Sequence, residues 1–345
     1  MYAVGGRSTR ETMVSPPSTQ HSSDAKPNST AMDPVSAADL KGFGRRIGWL
    51  LLILCVPFLD WARYPWNHDI QSYILLIPAI SAYLAWINKD QILWGRRTDS
   101  GNWKGWGVAA VCFLAGYVIS KWAGMPLKST DANTFSAAAI VCGVLAVARS
   151  WFLDATLKQL RFPLLFLFFA VPLPDFALTA AEVGLQHASA EVTAWFFNLT
   201  GLGHLRSGLI FQLPGIQIMV AQECSGIRST LVLLVTSAAA GYLFLRHPGN
   251  RLLFVLSTIA IGIVRNAFRI TVISWLCVEI GPHMIHSIVH KRGGPIFFAL
   301  ALIPTVLFLF LLRRWESKSK KPTPPASNAA KPGTQPPGSR SVATS

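Results

Sequence analysis

RLLFVLSTIAIGIVRNAFRITVISWLCV, residues 251–278, decides what kind of molecule this chain makes. The run exceeds the roughly 20 mostly apolar residues that a helix needs to cross a bilayer, yet Arg265, Asn266 and Arg269 stand in its middle. A cation at that depth is costly, so an arginine in a membrane span is a functional-site hypothesis from the outset. The plain alternative is that these arginines only bind backbone carbonyls or a buried acid and hold helices together. Asn266 and Arg269 are three apart and Arg265 and Arg269 four apart, so Arg269 shares a helix face with each.

The rest of the chain fits the same solvent. Of 345 residues 51% are hydrophobic and 14% charged, and the mean hydropathy is +0.40, a composition that suits a polytopic membrane protein. Eight stretches approach spanning length, near 47–62, 70–87, 106–124, 135–153, 160–178, 226–245, 252–278 and 294–312. The formal charge of +15 does not indicate nucleic-acid binding, because the basic residues are dispersed in short clusters between apolar runs and line no single face. Residues 1–44 and 315–345, rich in Ser, Thr, Pro and Lys, are expected to be disordered tails around one domain at 45–314. No signal-peptide pattern opens the chain.

Positive residues in short connections stay on the cytoplasmic side. One set of connections holds Lys41, Arg45, Arg46, Lys89, Arg96, Arg97, Lys104, Arg149, Lys158, Arg161, Arg246, Arg251, Arg313, Arg314, Lys318, Lys320 and Lys321, which is 17. The alternate set holds Arg63, Lys121, Lys128, Arg206, Arg228, Lys291 and Arg292, which is 7. The expected topology has both termini in the cytoplasm. The connection at about 179–225 then faces outward. Within it, 179–200 reads as an amphipathic helix with Val183, His187, Ala190 and Ala194 on one side, and LIFQLPGIQIMVAQE alternates like two strands around Pro-Gly. The expected fold is an all-α polytopic membrane protein of about eight transmembrane helices, with a small extracytoplasmic helix-plus-hairpin cap.

The cap leads into AQECSGIRST, residues 221–230. Cys224 precedes a spanning helix, whose N-terminal partial positive charge favours a thiolate, and Arg228 follows one turn later. Of the other four cysteines, Cys55, Cys112 and Cys142 fall inside apolar spans, where the residue is usually a small inert hydrophobe. Cys277 is placed near the outer face and is the alternative partner for Cys224 in a disulfide. A third polar cluster, GPHMIHSIVHKRGGPIFF at 281–298, brings His283, His286 and His290 to the same face. Metal binding is not expected, since no HExxH pattern or helical ligand set accompanies the histidines. A thiolate can attack an acyl carbon, an imidazole can shuttle the proton and a guanidinium can stabilise the oxyanion. Together these groups point to acyl transfer or peptide cleavage.

The chain resembles the exosortase/archaeosortase family of membrane transpeptidase-like enzymes, whose active site is a Cys-Arg-His triad. The resemblance rests on ECSGIRS at 223–229, NAFR at 266–269 and HKRGGPIFF at 290–298, in that order, with further likeness in SYILLIPAISAYLAW at 72–86, PLLFLFFAVPLP at 163–174 and GIQIMVAQECSG at 215–226. It implies Cys224 as nucleophile, Arg269 as stabiliser and His290 as acid/base, with Glu223, Arg228 and Asn266 in support and no metal or organic cofactor. The choice of His290 over His283 and His286 rests on Gly294 and Phe297 that follow it.

The resemblance also implies the partners: secreted proteins with a C-terminal sorting signal made of a short motif such as Pro-Glu-Pro, one transmembrane helix and a basic cluster. Membrane lipids surround the chain, and exopolysaccharide-assembly machinery is a further candidate partner. A cationic groove of Arg206, Arg228, Lys291 and Arg292 would attract an acidic recognition residue. The rival reading is a non-catalytic component or transporter of envelope polysaccharide, its arginines holding an anionic lipid or sugar. No paired-aspartate, GxSG or HExxH protease pattern supports a different peptidase.

Overall fold

A computed structural model of the chain describes residues 37–90, 92, 94–97, 102–122, 129–222, 225–281, 283 and 294–318. Ten α-helices carry the described fold: α1 (Ala37–Ile53), α2 (Cys55–Asn67), α3 (Ile77–Ile87), α4 (Lys104–Trp122), α5 (Ser129–Trp151), α6 (Asp154–Phe166), α7 (Asp175–Thr200), α8 (Ile227–Phe244), α9 (Pro248–Glu279) and α10 (Gly294–Lys318). Helices dominate because no water is available in a bilayer core to satisfy backbone N–H and C=O groups. Six segments are long and apolar enough to cross: 70–87, which joins a 3-10 stretch to α3, then α4, 130–151 of α5, α8, α9 and α10. Counting two bent helix pairs as spans brings the number to eight. The chain is an all-α polytopic membrane protein.

The two bends correct the expected spans at 47–62 and 160–178. The first run breaks at Leu54 and turns by 85° between α1 and α2. The second ends with a 3-10 turn at Ala170 and re-emerges as α7 at 88°. Pro172 and Pro174 remove donors and restrict the residues before them, so the helix cannot continue through 171–174. Gln71, fully buried, holds the turn: its Oε1 accepts from the Leu173 backbone N–H at 2.8 Å, and the Trp61 indole N–H donates to the Ala170 carbonyl at 2.8 Å.

Between the elements sit two apolar cores that matter for the site. Trp61, Tyr64, Ile74, Ile77, Leu84, Phe166 and Val235 join α2, α3, α6 and α8. Ala190, Phe197, Phe211, Leu213, Ile218, Val220 and Ile270 join α7, α9 and a small antiparallel sheet. The sheet, β1 (Leu205–Ser207), β2 (Ile210–Leu213) and β3 (Ile216–Met219), runs in the order β1-β2-β3, with Phe211 opposite Ile218 and Pro214-Gly215 at the β2–β3 turn. The expected helix and hairpin are therefore present, with a third strand added. Large apolar side chains elsewhere point outward, Trp122, Ile296 and Val111 among them, as helix faces in contact with lipid do.

Contacts between ends sort the elements into two faces. Asn88 at the end of α3 donates to Tyr242 near the end of α8. Arg97 donates its backbone N–H to the Trp151 carbonyl at the end of α5. Glu316 on α10 accepts from the backbone N–H groups of Arg246 and His247 and from Asn250. These ends form one face, and the α7–sheet unit with the start of α8 lies at the other.

Candidate active site

Gly262, Arg265, Asn266 and Arg269 recur at intervals of three and four, so they share one stripe of α9. Arg265 and Asn266 are buried, 7% and 1% exposed, and Arg269 is half-buried. Such groups persist in an apolar bundle only when neighbours satisfy them, and the neighbour here is the start of α8. Gly226 caps that helix in the left-handed conformation, φ +75°. A Cβ at Gly226 would lie 2.9 Å from Asn266 Cγ and Oδ1 and 3.1 Å from Arg265 Nη2. Only glycine lets the backbone approach this closely while holding that φ.

The Gly226 carbonyl collects donors. It accepts from the Thr230 N–H at 3.1 Å, the Ser229 and Thr230 hydroxyls at 3.0 Å each, and Arg265 Nη2 at 3.4 Å, the long end of a hydrogen bond. Ser225, just before it, is 2% exposed, and its hydroxyl has no partner among the described residues. The Ser225 N–H donates to the Gln222 carbonyl at 3.0 Å. Below this turn α8 and α9 pack tightly: a Cβ at Gly262 would meet Thr230 Oγ1 at 2.7 Å.

α7 completes the wall with a buried face that cuts across the stripe Val183, His187, Ala190 and Ala194. Glu182, Gln186, Ser189 and Thr193 point inward with Ala190 and Phe197, whereas Val183 and His187 are exposed. Asn266 Nδ2 donates to Ser189 Oγ at 3.1 Å, Gln186 Nε2 donates to the Val220 carbonyl, and Gln222 Nε2 donates to Glu182. An amphipathic helix on a soluble protein buries its apolar side. Here Val183 and Trp195 meet the surroundings, and the buried face joins Ala190 and Phe197 to polar side chains that meet Asn266 of α9, the Val220 carbonyl and Gln222. Ser189, Gln186 and Glu182 were absent from the sequence-based set, although their i, i+4, i+7 spacing carries the signal.

α10 reaches α9 at Phe268, the residue before Arg269. Phe297 packs edge-on against Phe268 with ring centroids 6.2 Å apart, and Phe196 of α7 meets Phe268 at 6.3 Å. The start of α10, immediately after the 281–293 connection, is thereby fixed beside the α9 stripe.

The structure brings Ser225, Gly226, Arg265 and Asn266 together, with Arg269 one turn further along α9. Glu223, Cys224, His286 and His290 lie outside the described residues. Arg228 is exposed on the first turn of α8, unlike Ile227 and Thr230 beside it, and His283 is exposed next to Gly281. Cys277 is a buried free thiol. Arg206 is engaged: its Nη1 and Nη2 bind both carboxylate oxygens of Glu191 at 2.8 and 2.7 Å, and its guanidinium lies 5.6 Å from the centre of the Phe211 ring. That bidentate pair holds the Glu191 carboxyl below the usual glutamate range. It also commits Arg206 to the cap and removes it from the cationic groove expected for an acidic recognition residue.

Compared with curated proteins and with solved structures, the chain finds no significant match. A family model described as Transmembrane exosortase (Exosortase_EpsH) matches residues 61–308, a stretch that contains α9, the start of α8, the α7 wall and the Phe297 contact. On that match, which takes in well over half of its length, the chain belongs to the transmembrane exosortase family.

Proposed function

We propose that the chain is a membrane cysteine endopeptidase or transpeptidase that cleaves the C-terminal sorting signal of secreted proteins, with Cys224 as nucleophile. The observation that carries this reading is a convergence of flanking residues. Gly226, two residues after Cys224, rests on Arg265 and Asn266, and Phe297, seven residues after His290, rests on Phe268 next to Arg269. The cysteine motif thus has its neighbours on the α9 stripe, and α10, which follows the histidine motif, reaches the adjacent face of the same stretch of α9 at Phe268.

The chemistry follows from the groups. The thiolate of Cys224, favoured by the α8 N-terminus and the arginines of α9, attacks the scissile carbonyl carbon. His290 delivers a proton to the departing amine, and Arg269 stabilises the oxyanion of the tetrahedral intermediate. The resulting thioester is resolved by an acceptor amine or by water, returning the thiol. A substrate with a short motif, a membrane helix and a basic cluster arrives correctly placed, because its own helix fixes the motif at the membrane surface. The positive-inside count puts that surface on the extracytoplasmic side of the inner membrane, opposite the 17 basic residues and both termini.

The test is processing of a secreted reporter ending in Pro-Glu-Pro, an apolar helix and a basic cluster, in cells carrying Cys224→Ala at normal abundance. Uncleaved reporter is expected, together with loss of any trapped acyl-enzyme. Continued cleavage in that variant overturns the assignment. Arg269→Lys keeps the charge and loses the planar fork, so it is expected to process slowly. Full activity there would remove Arg269 from the oxyanion role.

A further inference from the structure

The face opposite the candidate active site carries a second, chemically distinct feature. A cavity of about 560 Å³ opens where α4 begins, α5 ends and α6 begins. Its polar side is formed by Arg149 from the last turn of α5 and by Lys158 and Arg161 from α6. Lys158 and Arg161 are three apart, so they project from one side of that helix. Among the described residues the one acid lining it is Asp154, and it is already claimed: Arg97 Nη2 binds its Oδ2 at 2.7 Å and Arg149 Nη2 stands 3.9 Å from Oδ1. Three cations therefore line the cavity against one carboxylate that a fourth cation, Arg97, also holds. Arg97 is itself fixed in place, since its N–H bonds the Trp151 carbonyl, Leu153 N–H bonds the Gly95 carbonyl and Gly95 N–H bonds Thr156.

The remaining walls are apolar. Trp106, Leu145, Leu164 and Leu165 line the same cavity, and Leu165 is exposed. The indole of Trp106, two residues into α4, lies 6.1 Å from the Phe168 ring. Tryptophan is enriched where a span meets the headgroup layer, and a basic pocket between spans at that level is the arrangement that holds an anionic headgroup. A small soluble anion would answer the charges and leave the leucines and the indole wet. A molecule with both a phosphate and an acyl chain answers both.

We propose that this cavity is a binding site for the phosphate of an anionic membrane phospholipid, with Arg149, Lys158 and Arg161 on the headgroup and its chain lying along Trp106, Leu164 and Leu165. It is independent of the active-site reading, which involves none of these residues.

The test uses the full chain purified in a neutral detergent. Retained lipid is measured by native mass spectrometry after addition of phosphatidylglycerol, phosphatidylcholine or inorganic phosphate. Lys158 and Arg161 are both exposed, so the double variant K158Q/R161Q is expected to fold as the parent does. The control is R313Q/R314Q, which removes equal charge from exposed positions near the end of α10. The parent and the control are expected to retain phosphatidylglycerol over phosphatidylcholine, and each charge lost from the cavity is expected to weaken retention about fivefold. Equal loss in the control variant would assign the effect to bulk surface charge and overturn the site. Displacement of the lipid by millimolar inorganic phosphate would show that the cavity takes a free anion, which overturns the lipid assignment. Equal retention of phosphatidylcholine would do the same.

Discussion

Gly226→Ala tests the contact on which the candidate site is built. Two costs are separable. An alanine at φ +75° sits in the left-handed region, worth about 1–2 kcal/mol. Its methyl would stand 2.9 Å from Asn266 Cγ and Oδ1, and such overpacking costs about 1–3 kcal/mol. The sum is a loss of about 2–5 kcal/mol. In an Asn266→Ala background the amide is gone, and the remaining close atom is Arg265 Nη2 at 3.1 Å, the far end of a flexible side chain. There the substitution is expected to cost only the backbone part. A double-mutant cycle measured by reversible unfolding in detergent should therefore give a coupling of about 1–3 kcal/mol between positions 226 and 266. Reporter cleavage, measured in parallel, should fall in Gly226→Ala even when the protein remains inserted and abundant, because the substitution strains the backbone two residues after the proposed nucleophile Cys224. Equal costs in the two backgrounds would refute the close approach, and a neutral Gly226→Ala would refute the left-handed turn as well.

Two further outcomes are expected. Gly262→Ala places a methyl 2.7 Å from Thr230 Oγ1 and should destabilise by about 1–3 kcal/mol; Thr230→Ala, which removes the nearest atoms, should restore most of the loss on the same unfolding assay. At the cap, Arg206 depresses the Glu191 carboxyl, so the pair's contribution is complete above the unfolded glutamate value of about 4.3 and is lost as pH falls through the lower folded value. Hydrogen exchange of β1 and β2 should then accelerate only in that acid window, and Arg206→Met should abolish the acid-dependent step.

Much of the architecture was visible in the sequence because hydropathy reports burial in lipid directly. The spans at 70–87, 226–245, 252–278 and 294–312 lie within a few residues of the helices observed. The two bends were not visible, since a hydropathy window records apolarity and not direction. Pro172 and Pro174 were the available warning at the second bend, and nothing as plain marked Leu54. The buried polar face of α7 has a different cause. A periodic helix shows two faces without saying which one is inside, and polar groups face inward here because the neighbours are Asn266 and a backbone carbonyl at Val220. Arg265 and Asn266 themselves were legible because charge and amide are so rare in such a run. That Arg265 meets the Gly226 carbonyl was not, because sequence gives spacing along one helix and no contact between two.

The clamp at Glu316 bears on how a substrate is admitted. α10 is fastened near its C-terminal end by three donors to that carboxylate and at its start by Phe297 against Phe268. A helix held at both ends cannot ratchet by a turn of about 5.4 Å along its axis. On the proposed function α10 is a fixed post, past which a substrate helix would enter sideways from the membrane plane.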